Sequence, residues 1–239
     1  AVFGAGAVAL AVVLVVGYAG LPSFGDFHGA YGTLVAHVTV PERHATGVVS
    51  ALTFDYRGFD TLGEEFILLT AVVGVLAILR IIGRGERRED TDQTPPSSAA
   101  RAVGLALVGP TVLFGLYVTA TGALTPGGGF QGGVLLSSAL LLVFVAGSAV
   151  ALRRLRPIAV FELAEGAGAL GLALVGVGGL ISAGIFLENF LGVGTTGSIF
   201  SGGIIQVSSV CVGLEVAAGF TLIISEFLEH DLLRQGSGP

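Results

Sequence analysis

The sequence predicts an all-α, polytopic integral membrane protein with about six transmembrane helices and both termini in the cytoplasm. Three observations carry this. Of 239 residues, 53% are apolar and 12% charged, and the mean hydropathy is +0.89. A soluble domain has about 25% charged residues, so too little polar surface is available to cover an aqueous globule. Six stretches, at about 1–20, 65–83, 101–121, 132–152, 165–187 and 203–226, approach the ~20 apolar residues that a bilayer-spanning helix needs. The arginines, finally, are distributed unequally between the connecting segments.

The composition also excludes other classes. The 39 glycines follow no Gly-x-y period and suit close helix packing in lipid. A net charge of −6 offers no basic patch for nucleic acid. One cysteine cannot form an internal disulfide. A closed β-barrel would alternate apolar and polar residues in segments of about ten, whereas residues 134–151 do not alternate. The first stretch reads as a span rather than a cleaved leader. No basic residue precedes it and no Ala-x-Ala site lies immediately before Pro22.

All eleven basic residues are arginine. Nine fall on one side: Arg80, Arg84, Arg87, Arg88 and Arg101 between the second and third spans, Arg153, Arg154 and Arg156 after the fourth, and Arg234 after the sixth. Arg43 and Arg57 lie opposite. The excess of positive charge on cytoplasmic segments then sets the orientation. Residues 84–100 are charged, then rich in Pro and Ser, and read as a cytoplasmic linker. The linker separates a two-span module (1–83), which includes an external loop at 21–64, from a four-span unit (101–239). No internal repeat is visible, which suggests one part of a transporter rather than a whole one.

Within the external loop, residues 35–40 read as a short strand and 46–54 as a short apolar re-entrant or interfacial helix. The loop ends in Asp55-Tyr-Arg-Gly-Phe-Asp-Thr-Leu-Gly-Glu64 at the membrane boundary. Asp60 or Thr61 can cap the following helix, with Glu64 in its first turn. Alternatively Asp60, Glu64 and Glu65 form an acidic mouth for a cation, partly neutralised by Arg57. His28, His37 and His44 lie too far apart in sequence for a usual metal pair and read as loop histidines. No metal, cofactor or nucleotide site is expected, and no catalytic triad is present.

Between the third and fourth spans stands a glycine-rich run of Pro126, Gly127, Gly128, Gly129, Phe130, Gln131, Gly132 and Gly133. It lacks the Lys-Ser or Lys-Thr ending of a phosphate loop. A tight turn, a re-entrant stretch, or a place where another chain's backbone approaches closely are the readings it allows.

Glu215 lies near the middle of the sixth span, where an acid costs about 2.5–3.5 kcal/mol to insert. It must be protonated, paired or facing water. Ser208, Cys211, Glu215 and Gly219 share one helix face, which would turn toward other helices. Glu215 is then either a proton exchanger or an inter-helix hydrogen bonder. Glu162 suits the positive end of the fifth span, while Glu165, deeper, is a candidate for proton entry. Glu188 at the outer end of that span could line a cation exit. Gln206, Tyr117 and Thr119 read as inter-helix hydrogen bonders, Cys211 as packing, and Pro110 as a kink.

These residues carry a resemblance. The four-span part resembles the MnhB/MrpB subunit of Mrp-type multisubunit Na+/H+ antiporters, through the run at 125–133 and through Ser201-Gly-Gly-Ile-Ile-Gln206 leading to Gly213-Leu-Glu-Val-Ala-Ala-Gly219. The two-span part is similar to the MbhE-type module, through the run at 55–64. In many such antiporters that module ends the large A-type subunit; here it precedes the B-type unit. The resemblance implies a non-enzymatic membrane subunit of a cation/proton antiporter in the bacterial inner membrane, with other antiporter subunits as partners and Na+ and H+ as transported ions. On this reading the ion-path candidates are Glu215, Asp60, Glu64, Glu165 and Glu188, and the glycine-rich run docks a neighbouring subunit. A membrane arm of a redox complex such as a hydrogenase is the alternative, and a purely structural spacer the third.

Overall fold

The computed structural model describes residues 2–23, 25, 29–83, 97–146 and 157–236. The chain divides into two compact units, Ala1–Val35 and Ala36–Pro239. The expected linker lies, up to residue 96, outside the described residues, as do His28 and the arginines at 84, 87, 88, 153, 154 and 156.

Helix α1 (Val2–Ala19) contains no charged residue, and its length corresponds to about 27 Å at 1.5 Å per residue. Helix α2 (Ala30–Arg43) replaces the strand expected at 35–40. A lone strand leaves its backbone N–H and C=O groups without partners, whereas a helix pairs them internally. Helix α3 (Val48–Ala51) passes directly into one π-helical turn, Leu52–Tyr56.

Five longer helices follow: α4 (Gly58–Gly83), α5 (Ser98–Ala120), α6 (Gly129–Val145), α7 (Ile158–Ala183) and α8 (Ile204–Gly236). Among the described residues, Gly58–Ile81, Ser98–Ala120, Ile158–Ala183 and Ile204–Leu228 are long and apolar enough to cross a bilayer. Gly4–Ala19 and Gly129–Val145 are shorter apolar helices. The span expected at 132–152 therefore starts earlier, and its far end lies outside the described residues. Helix α4 begins at Gly58, so neither Asp60 nor Thr61 caps it. Thr61 is buried instead and donates to the Thr53 carbonyl at 2.6 Å.

Helix α8 is the axis of the second unit and packs against α4, α5, α6 and α7. Of its apolar stretch 56% is buried, against 17–33% for the other three long helices, which makes it the core element. Small residues allow this. A Cβ added to Gly133 of α6 would lie 2.7 Å from Val216 Cβ, so only glycine lets α6 and α8 approach so closely. The helices alternate in direction. At one end Gln206 and Ser209, early in α8, donate to the Thr119 carbonyl near the end of α5. At the other, Arg80 late in α4 pairs with Glu162 early in α7. Large apolar side chains such as Leu113, Leu163 and Ile181 point outward at 69–80% exposure, as a lipid-facing surface requires.

Candidate functional site

Three carboxyl groups from three different helices are buried in the second unit. Glu65 and Glu165 are each 3% exposed and Glu215 is 0% exposed. Glu65 lies on the α4 face that also buries Thr61, Val72 and Leu76, positions that recur at helical spacing. Glu165 begins the inward face of α7, continued by Gly168, Ala169 and Leu172. Gly168 brings α7 against Glu215, and Gly219, one turn further along α8, leaves room for Glu165 Oε1, which a Cβ there would meet at 3.4 Å.

Glu65, Glu165 and Glu215 all turn into the interior of the second unit. Glu65 Oε2, Glu165 Oε1 and both oxygens of Glu215 have no hydrogen-bond partner among the described residues. An uncompensated carboxylate in such surroundings costs several kcal/mol. Each group therefore requires a proton, a cation or water to be tolerated where it stands.

On the outer side of Glu65 a cavity of about 250 Å³ opens between α4, the α3–π segment and the start of α6. Thr53, Thr61, Glu64, Glu65, Phe130 and Gln131 are among its lining residues. Glu64, the neighbour of Glu65, is exposed, and so is Gln131. The glycine-rich run thus contributes to a cavity wall. Gly128 takes φ +138°, a conformation that favours glycine, immediately before α6. The backbones that approach Gly129, Gly132 and Gly133 most closely belong to α5 and α8 of the same chain. Gly127 accepts a 3.0 Å hydrogen bond from Ser50 through its carbonyl, while Pro126, Phe130 and Gln131 remain at the surface.

Two further polar clusters flank this centre. The side chain of Asp55, in the π-helical turn, is 5% exposed; its Oδ2 lies 2.8 Å from Arg43 Nε as an ion pair and accepts from Asn189 Nδ2 at 2.7 Å. Burial pushes the Asp55 carboxyl above its ordinary value, and Asn189 and Arg43 only partly offset this. Asn189 also donates to the Gly202 carbonyl at 3.0 Å and accepts from the Ile204 N–H at 3.1 Å, securing the start of α8. Glu188 is half-buried and close enough for its charge to act on Asp55. At the opposite end Arg80 Nη1 lies 2.7 Å from Glu162 Oε1, and Arg80 Nε 3.6 Å from Glu226 Oε1.

The sequence-derived candidates therefore separate. Glu165 and Glu215 meet in the buried centre, whereas Glu64 stands on the cavity rim. Asp60 is exposed and paired with Arg57 three residues earlier in the chain. Glu188 belongs to the outer cluster. His44 Nδ1 approaches the Gly194 carbonyl at 2.5 Å. Two residues of consequence do not stand out in the sequence as sites. Glu65 reads there only as part of the acidic mouth, although its helical spacing from Val72 and Leu76 is a signal that could have found it. Asn189 carries no signal in the sequence, because its three partners come from distant segments.

An uncharacterised protein of Methanocaldococcus jannaschii is 29% identical over 217 residues, with 81% of this chain and 79% of that protein covered. The B-type subunit of the Na(+)/H(+) antiporter of Bacillus subtilis is 37% identical over 81 residues, which is 34% of this chain and 56% of that protein. A chain of the membrane-bound sulfane sulfur reductase, an archaeal respiratory membrane complex, superposes with a TM-score of 0.71 at 29% identity, covering 93% of this chain and 97% of that one. Residues 99–222 match the domain related to the MnhB subunit of Na+/H+ antiporters, and the chain belongs to that family.

Proposed function

We propose that this chain is a membrane subunit of a multisubunit monovalent cation/proton antiporter, and that Glu215, with Glu65 and Glu165, forms part of the ion path. The observation that carries this reading is the burial, within one unit, of three carboxyls from α4, α7 and α8, with four oxygens that lack partners among the described residues. Intramembrane acids of this kind belong to ion pathways by default. The acids are also spaced along the bundle. Glu64 and Glu65 stand at the outer cavity, Glu215 and Glu165 lie beyond them, and Glu162, Arg80 and Glu226 form the inner end. Eleven residues separate Glu215 from Glu226, about 16 Å along the helix axis.

The family relationship supports Na+ and H+ as the exchanged ions and other antiporter subunits as partners. The arginine bias supports cytoplasmic termini in a bacterial cell membrane. In this reading the chain performs no covalent chemistry and needs no cofactor. Exposed Pro126, Phe130 and Gln131 are the part of the glycine-rich run available to a neighbouring subunit.

The test is cation-dependent proton movement in everted vesicles carrying the assembled complex. Glu215→Gln is expected to reduce exchange at least tenfold with normal subunit stoichiometry, and Glu215→Asp to retain part of it. Full exchange with an unchanged pH profile in Glu215→Gln assigns the carboxyl to packing.

A second reading rests on the near full-length similarity to the sulfane sulfur reductase chain. In that case the same path is driven by electron transfer in attached redox subunits. Purification of the native complex in mild detergent, with mass spectrometry of each chain, separates the two. Iron–sulfur proteins among the partners assign the chain to a redox-driven arm.

A further inference from the structure

The outer cavity combines features that select a ligand class, and from them we infer that it is a binding site for a partly hydrated monovalent alkali cation, with the Glu65 carboxylate and the Gln131 amide oxygen as its protein ligands. Glu65 is 3% exposed, lines the cavity and leaves Oε2 without a partner among the described residues. A buried polar atom is normally satisfied; Oε2 itself is closed off from solvent, and a cation at the cavity face of the carboxylate offsets its charge without any further donor.

The neighbouring hydroxyls do not serve that purpose. Thr61 Oγ1 donates its proton to the Thr53 carbonyl at 2.6 Å, and Thr53 Oγ1 donates to the Ser50 carbonyl at 3.3 Å. With both protons committed, the two oxygens have only lone pairs left to offer. The lining therefore presents carboxylate, amide and hydroxyl oxygens, the donor set that hard cations take. It repels an anion.

Charge and size narrow the class. Among the described residues that line the cavity, only one buried carboxylate occurs, that of Glu65, while Glu64 is exposed to solvent at its edge. One buried charge balances a single positive charge. A volume of about 250 Å³ corresponds to about eight waters at ~30 Å³ each, so the ion keeps part of its hydration shell. Gln131 faces this cavity from the first turn of α6, which gives the glycine-rich run a role within its own chain. This deepens the antiporter reading, on which it rests, by naming where the cation first binds.

The test is direct binding of 22Na+ to the purified complex at fixed pH, with thermal unfolding in NaCl against choline chloride as the second measurement. Wild type is expected to bind Na+ and to unfold at higher temperature in NaCl. Glu65→Gln is expected to weaken binding at least tenfold and to abolish the NaCl-dependent rise, while unfolding in choline stays near wild type. Gln131→Leu is expected to weaken binding severalfold. Undiminished 22Na+ binding in both variants overturns the site. The antiporter reading fails separately: binding that depends on Glu65 and Gln131 in a complex that exchanges no protons keeps the site and removes the exchange.

Discussion

Gly168 of α7 lies directly against Glu215 of α8: a Cβ on Gly168 would stand 2.7 Å from both the Cβ and the backbone nitrogen of Glu215. The contact exists because neither a side chain nor lipid intervenes. It brings α7 and α8 to backbone distance and sets Glu165, one turn earlier on α7, beside the same region of α8. The central acids owe their meeting to a missing methyl group.

Gly168→Ala is accordingly expected to push α7 from α8. Overpacking of this kind costs about 1–3 kcal/mol, and exchange activity should fall with it. Gly166, two residues earlier, has open space around its Cα. Gly166→Ala should therefore stabilise by about 0.5–1 kcal/mol through helix propensity. Thermal unfolding followed by circular dichroism compares the pair; equal effects of the two substitutions contradict the close contact.

Asn189 joins Asp55, Gly202 and Ile204 through three hydrogen bonds. At about 0.5–1.5 kcal/mol net for each, Asn189→Ala is expected to lower stability by about 1.5–4.5 kcal/mol. The loss should be local to the start of α8, so hydrogen exchange at 202–208 is the sensitive measurement. Unchanged protection there rules the tie out.

Asp55 provides a pH signature. Burial raises its carboxyl above 3.8 in the folded chain, so the folded state holds the proton more tightly than the unfolded state does. Its contribution to stability is complete below the ordinary carboxylate value and is lost as pH rises through the raised folded value. Wild type should therefore lose stability relative to Asp55→Asn over that acid interval. Melting curves collected across it should diverge as pH rises; parallel curves contradict the shift.

Arg80 and Glu162 form an ion pair in which the side chains are 38% and 42% exposed. Pairs so accessible to solvent contribute little. A double-mutant cycle with Arg80→Gln and Glu162→Gln is expected to give a coupling under about 1 kcal/mol. A larger coupling means that the inner end is shielded by a partner or by lipid.

Much of the architecture was legible in the sequence. Apolar runs marked each long helix, because length and hydrophobicity alone decide whether a segment enters lipid. Glu165 and Glu215 stood out as acids inside such runs. The strand expected at 35–40 is a helix, because among the described residues no strand is available to pair with it. Asp60 and Glu64 drew attention through their density of charge, yet the fold leaves both at the surface and turns their neighbour Glu65 inward.

What the sequence determined by itself is the membrane class, the positions of the apolar helices and the presence of acids within them. Each follows from composition summed over about twenty residues. Only the tertiary structure decided which face of each helix turns inward, and so which acids meet. In a soluble protein the boundary between water and core leaves an amphipathic stripe to read. Around α4 and α7 the outer solvent is as apolar as the interior, and no such stripe is written; α8 alone shows one, in Ser208, Cys211, Glu215 and Gly219. Orientation is settled instead by shape: Gly133, Gly168 and Gly219 let backbones and one carboxyl fit where any larger residue would collide.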